Sequence, residues 1–290
     1  MKIKSNAKIN IGLIILNKRE DGYHNIDTVF AELDWGDTLM FDEVSNKDAK
    51  SQSSKYPISN IQHQTLKSQL PADDSNLITK AYKLLRSTVS EVPTEYQIKL
   101  IKRIPMGGGL GGGSSNASAT LIALNQLWGL DYSAEKLQSL GAQLGADVPF
   151  FIKGGVQRGQ GIGEKLQPIK LNEDWFIVIV VPPIHCSTAD AYRDYKKYLP
   201  VNWNNRNITG SELTDKELTG LRNDFEPMIF DKFTEIEKIK SQLIKAGAII
   251  SRLSGSGSAV YGVFQTKDLA QQCQSSIDSS YFSIVTKIKK

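Results

Sequence analysis

Residues 105–116 read Pro-Met-Gly-Gly-Gly-Leu-Gly-Gly-Gly-Ser-Ser-Asn, and six of these twelve positions are glycine. An apolar series at helical spacing comes directly after, from Ala117 and Ala119 through Leu121, Ile122, Leu124 and Leu127. The glycines therefore open onto a helix N-terminus. A backbone without Cβ atoms can take positive φ angles and come close to a ligand. The first helical turn adds unpaired N–H groups and the positive end of the helix dipole. Together these make an anion site, and phosphate is its natural occupant. A flexible linker is the plain alternative, but linkers are rarely one block fused to an amphipathic helix.

Two familiar phosphate loops do not fit. No Lys-Ser or Lys-Thr pair closes the run, so a P-loop fails at its lysine. The preceding segment, residues 96–104, alternates like a strand with one wet face, unlike the buried strand that opens a Rossmann unit. The reading is a nucleotide phosphate site of another fold.

The rest of the chain narrows the class. Its 290 residues allow one large domain or two ordinary ones. The charge is +4, from 35 basic and 31 acidic residues dispersed along the chain, without the clustered basic stripe of a nucleic-acid binder. Cys186 and Cys273 form no CxxC pair, and His24, His63 and His185 show no metal-ligand spacing, so no metal ligand is assigned. The first residues lack a signal peptide's apolar core, and the apolar run 175–181 is too short for a membrane span. A soluble cytoplasmic protein without nucleic-acid or membrane partners is the expectation.

Strands are expected over 7–16, over 26–33 and near 38–41, with Asp34–Asp37 as a turn. Residues 45–72 read as an irregular polar excursion. Asp74-Ser-Asn76 is an N-cap signature for a helix over 77–87. Helices are expected from about Ser114 to Trp128 and from Ser133, with a break at Gly145. The glycines at 154–155 and 159–163 separate these helices from the later strands, which sets domains at 1–153 and 154–290. Beyond lie a strand at 175–181, a helix at 188–195, a polar loop at 198–215 and one helix over 230–246 with Gly247 behind it. Strands at 249–252 and 259–264, a helix at 268–276 and a strand at 282–288 finish the chain. Strands and helices without regular βαβ alternation indicate α+β.

Three groups carry candidate chemistry. Lys8, in Asn6-Ala-Lys8-Ile-Asn10, is costly to bury alone, so it points into a polar cleft or meets a carboxylate. An exposed strand lysine is the plainer reading. Tyr23 and His24 are either core residues or a stacking face and hydrogen-bonding edge for a flat base. Asp147, between Gly145-Ala146 and Val148-Pro149, is either an N-cap or a functional residue. If Lys8 and Asp147 converge they form the pair that phosphoryl transfer to an alcohol needs. The loop Leu253-Ser-Gly-Ser-Gly-Ser258 is a second glycine-rich element, and two such loops favour a cleft between domains.

Residues 105–116 and the 253–257 loop resemble those of the GHMP kinase superfamily, named for galactokinase, homoserine kinase, mevalonate kinase and phosphomevalonate kinase. Ala7-Lys8-Ile9-Asn10, Arg19-Glu-Asp-Gly-Tyr-His24, the doubled triple glycine and Gly145-Ala-Asp-Val-Pro149 resemble more narrowly those members whose alcohol is carried on cytidine diphosphate. The resemblance implies a two-domain α+β fold: an N-terminal ribosomal-protein-S5-like ATP domain and a C-terminal α/β-sandwich domain. It implies ATP with Mg2+ as cofactor and a cytidine diphosphate derivative as the small-molecule substrate, with the two substrates meeting in a cleft. On matching positions Lys8 and Asp147 are the catalytic pair. Pro105, Met106, Gly107, Gly108, Gly109, Leu110, Gly111, Gly112, Gly113, Ser114 and Ser115 wrap the ATP phosphates. Asn76 and Lys102 line the adenine site. Tyr23, His24 and Tyr192 form the cytosine pocket, and Asn10 and Thr188 lie near the alcohol. A mevalonate- or homoserine-type kinase and a non-catalytic nucleotide-binding relative are the alternatives.

Overall fold

In a computed structural model, the described residues are 1–44, 58–63, 70–71, 73–91, 94–171, 173–199 and 212–290. The chain forms two compact units, each drawn from several stretches. One comprises Met1–Ala7, Gly36–Pro105 and Gly111–Lys153, and the other Lys8–Trp35, Met106–Leu110 and Gly154–Lys290. One crossing falls between Lys153 and Gly154. The others lie inside residues 1–153, because two long strands and the glycine run each contribute to both units.

Those strands are β1 (Lys2–Lys18) and β2 (His24–Glu43). The turn expected at Asp34–Asp37 does not exist, and β2 runs straight through it. Gly36 serves a different purpose there: a Cβ on it would lie 2.1 Å from the Ser5 carbonyl oxygen, so only glycine lets β1 approach.

In the first unit, β3 (Ile58–His63) runs parallel to β4 (Tyr96–Lys102), which pairs antiparallel with residues 38–43 of β2. β3 is a strand inside the segment expected to be irregular; most of residues 45–72 otherwise lie outside the described residues. Helices α1 (Leu77–Arg86), α2 (Gly112–Leu127), α3 (Ala134–Ala142) and α4 (Val148–Lys153) supply the rest. Asn76 caps α1 by accepting from the Ile78 N–H, and Ser133 caps α3 by accepting from Lys136. Leu39, Phe41, Ile98 and Leu100 of the strands pack with Ile78, Leu85, Leu121 and Leu124 of the helices in one core.

In the second unit the glycine-spaced stretch after residue 155 is a hairpin and not a separator: β5 (Val156–Gly161) pairs with β2 on one side and β6 (Lys165–Pro168) on the other. β7 (Lys170–Leu171) and β9 (Glu212–Leu213) form a short parallel pair. β8 (Phe176–Val181) lies between β11 (Val260–Phe264) and β12 (Phe282–Lys287), with β10 (Ile250–Leu253) beyond β11. β8 is buried on both faces, which is why its sequence shows an unbroken apolar run. The helices are α5 (Thr188–Asp194), α6 (Asp215–Gly220), α7 (Glu226–Lys232), α8 (Thr234–Lys245) and α9 (Lys267–Ser275). The single helix expected over 230–246 is thus two. Phe233 leaves the helical region, at φ −135° and ψ 77°, and ends α7. Of the expected loop at 198–215, residues 200–211 lie outside the described residues.

Candidate active site

In the first unit, the end of the glycine run becomes the start of α2. Gly111 is its N-cap residue, at φ 70°, with no side chain capping the first turn. Beneath this turn lies a buried polar network that arises from strand periodicity. Ile98, Leu100 and Lys102 alternate onto the inward face of β4, so Lys102 is carried inside. Its ammonium meets Asp37 Oδ2 at 2.7 Å and also donates to the Ile104 carbonyl at 2.5 Å. Burial lowers the Lys102 pKa, and Asp37 opposes that shift. Asp37 accepts in addition from the N–H groups of Arg103 and Ile104, at 2.7 and 2.8 Å, and from Asn116 Nδ2 at 3.1 Å. Asn116 Oδ1 takes a bond from the Ser5 hydroxyl at 2.6 Å, and Ser5 lies 2.8 Å from the Ser115 hydroxyl.

Asp37 therefore ties together the end of β4 and the first turns of α2. Asn76, expected near adenine, has its amide engaged: the oxygen caps α1 and the nitrogen donates to the Pro71 carbonyl. Asp147 is half-buried at the head of α4, next to the fully buried Val148.

In the second unit, Met106–Leu110 is pinned by three bonds. Ala259 N donates to Gly108 O, the Ser254 hydroxyl to Gly109 O, and Lys8 N to Leu110 O, at 3.1, 2.9 and 3.0 Å. Gly109 sits at φ 74°, and a Cβ on it would lie 2.1 Å from the Ser254 carbonyl oxygen. No other residue fits both requirements. The two glycine loops are thus in direct contact in this region. Asn223 holds the second from behind, donating to the carbonyls of Leu253 and Gly255.

Beside these loops Lys8 is 4% exposed, and its ammonium donates to Asn10 Oδ1 at 2.6 Å and lies 5.3 Å from the centre of the Phe30 ring. The buried lysine thus meets an amide. The Asn10 amide is itself buried, its nitrogen donating to Thr28 Oγ1.

A group of rings forms the other feature of this unit. His24 stacks on Tyr192, with centroids 5.0 Å apart and planes inclined by 19°. Tyr195 meets His24 edge-on, and Phe225 packs edge-on against Tyr192. Tyr23 is 61% exposed, on a turn stiffened by the Arg19–Asp21 ion pair and by Tyr23 N donating to Asp21. Thr188 shares a hydrogen bond with Ser256 of the second glycine loop, at 2.8 Å.

Burial, followed by the charges of Lys18 and Lys196, lowers the His24 pKa below 6.5. The imidazole is therefore neutral at pH 7, with one donor and one acceptor nitrogen. Because the folded protein disfavours the cation, the unfolded chain binds the proton more readily. The His24 contribution to stability is present above pH 6.5 and is lost as pH falls through the depressed folded pKa. A proton NMR titration of the His24 ring is expected to give a midpoint below 6.5; a midpoint at or above that value would contradict the burial argument.

The model of the GHMP kinases N terminal domain matches residues 76–155, and that of the GHMP kinases C terminal matches residues 207–283. A relative from Pelodictyon phaeoclathratiforme (strain DSM 5477 / BU-1), named 4-diphosphocytidyl-2-C-methyl-D-erythritol kinase, is 40% identical over 284 residues, covering 96% of this chain and 94% of its own. The chain belongs to the GHMP kinase family. Among solved structures, a 4-(cytidine 5'-diphospho)-2C-methyl-D-erythritol kinase superposes with a TM-score of 0.80 at 28% identity, covering all of both chains. The homoserine kinase of Cytophaga hutchinsonii shares the fold, with a TM-score of 0.66 at 16% identity, covering 99% of this chain and 95% of its own.

Reading this GHMP kinase from its sequence misses Asp37, Asn223 and Thr28. A signal existed for Asp37, since a lysine carried to the inward face of β4 demands a carboxylate. Asn223 and Thr28 act on neighbours far away in the chain, and no local pattern marks them. Among the described residues no helix is long and apolar enough to cross a membrane.

Proposed function

We propose that this chain transfers the γ-phosphoryl group of ATP to the 2-hydroxyl of 4-diphosphocytidyl-2-C-methyl-D-erythritol, a step of the non-mevalonate route to isoprenoid precursors. The observation that carries the choice of acceptor is the aromatic set around His24. A nucleobase needs flat faces and a neutral hydrogen-bonding edge, whereas mevalonate or homoserine has no use for either.

Asp147 is the general base: it accepts the proton of the hydroxyl as that oxygen bonds to phosphorus and the bond from phosphorus to ADP breaks. The ammonium of Lys8 stabilises the negative charge that develops. The backbone N–H groups of residues 105–115 hold the phosphates. Tyr23, His24 and Tyr192 hold cytosine, and Thr188 lies toward the alcohol. Lys102 supports the adenine side together with Asn76. Magnesium bound with the nucleotide would supply positive charge against the phosphates. Among the described residues no three His, Cys, Asp or Glu side chains cluster to hold a cation.

A coupled ADP-release assay with the cytidyl substrate, mevalonate and homoserine as separate acceptors tests this reading. Turnover is expected with the first alone; turnover only with either of the others would overturn it.

A further inference from the structure

Lys8, Asn10 and Gly12 recur at every second position of β1, and Thr28 and Phe30 do so on β2. Thr28 is fully buried and has no place in the proposed reaction. We infer that Thr28 is a positioning residue for Lys8, acting by dictating which way the Asn10 amide faces.

Hydrogen-bond direction here comes down to a count of protons. Thr28 Oγ1 lies 2.5 Å from the Gly12 carbonyl oxygen, a group that only accepts, so the single hydroxyl proton is committed there. The oxygen of Thr28 then offers only lone pairs to Asn10, 2.9 Å away, and only the amide NH2 can meet them. The Asn10 carbonyl oxygen is thereby turned toward the Lys8 ammonium, which has three donors and no acceptor. Flipping the amide would set NH2 against NH3+ and oxygen against oxygen. Both contacts would be buried, where unsatisfied polar groups are most costly. The backbone of Gly12 thus orients the ammonium through two side chains, while the Phe30 ring bounds the same space.

This inference rests on the catalytic reading of Lys8, and the experiment separates the two. Thr28→Val keeps the shape and removes the hydroxyl. It is expected to lower kcat about 10- to 100-fold, the scale of a misplacement near 1 Å, while KM for both substrates stays within about threefold. Thr28→Ser, which restores the proton, is expected to recover most of the loss. In a Lys8→Met background Thr28→Val is expected to cost nothing further, because the residue through which it acts is gone. Equal fractional losses in both backgrounds, or an unaltered kcat in Thr28→Val, would overturn the role of Thr28. Wild-type turnover in Lys8→Met alone would instead overturn the reading of Lys8. Should Thr28→Val not fold, Asn10→Leu cuts the same link and is expected to reproduce the kcat loss; unaltered kcat there would overturn the inference equally.

Discussion

Asp147→Asn is expected to lower kcat by about 10²- to 10⁴-fold, the range that a positioned general base contributes. Asparagine keeps the size and the hydrogen-bonding shape of the side chain but cannot take a proton at neutral pH. Asp147 sits half-buried between Gly145-Ala146 and the buried Val148, and asparagine of nearly the same volume fits the same space. In the proposed reaction ATP is held elsewhere, by backbone groups of residues 105–115, so its dissociation constant is expected to stay within about threefold of wild type. Turnover assays paired with calorimetric titration of ATP check both halves. A matched loss of ATP affinity and turnover would make Asp147 a structural residue and remove it from the mechanism.

The second large effect concerns the fold. Asp37→Ala is expected to destabilise the protein by about 3–5 kcal/mol, the usual consequence of removing one member of a buried ion pair. Asp37 is wholly buried and accepts from Lys102, Asn116 and two backbone N–H groups, so truncation takes the acceptor from four donors at once. The largest of these is the Lys102 ammonium, whose pKa burial already lowers. Without Asp37 the opposing influence is gone and the folded pKa falls further. The unfolded chain then binds the Lys102 proton more readily than the folded one, so the variant gains stability as pH rises toward the lysine's ordinary value. Denaturant unfolding at pH 7 and pH 9.5 measures this: the deficit is expected to be large at the lower pH and smaller at the higher. A change within about 0.5 kcal/mol at pH 7, the range of ordinary surface substitutions, would remove Asp37 from its central place.

The parts legible beforehand share a physical trait: their meaning is local. Asn76 and Ser133 announce helix starts because a capping side chain bonds to an N–H within three residues. The glycine run announces the start of α2 because backbone freedom and a helix terminus are properties of contiguous residues. The parts that were not legible depend on partners distant in sequence. Gly36 looked like a turn residue, whereas its lack of a Cβ serves the Ser5 backbone on another part of the chain. Phe233 carries no breaker signature, yet the chain leaves the helix there. His24 and Tyr192, 168 positions apart, become one stack only when α5 folds against the turn after β1.

Lys8 marks the division most clearly. From the sequence alone this lysine, set among apolar strand residues, either meets a polar partner, because an isolated buried ammonium costs too much, or stays exposed. Likewise, the doubled triple glycine points by its backbone chemistry to an anion such as phosphate, whatever the acceptor. Which partner Lys8 finds, and which way that partner faces, was decided only by the tertiary structure. The pairing of β1 with β2 sets Thr28 against Asn10 and Gly12, and the single proton of one hydroxyl then fixes the orientation of the amide. Hydrogen-bond direction is a property of assembled neighbours, and no residue carries it alone.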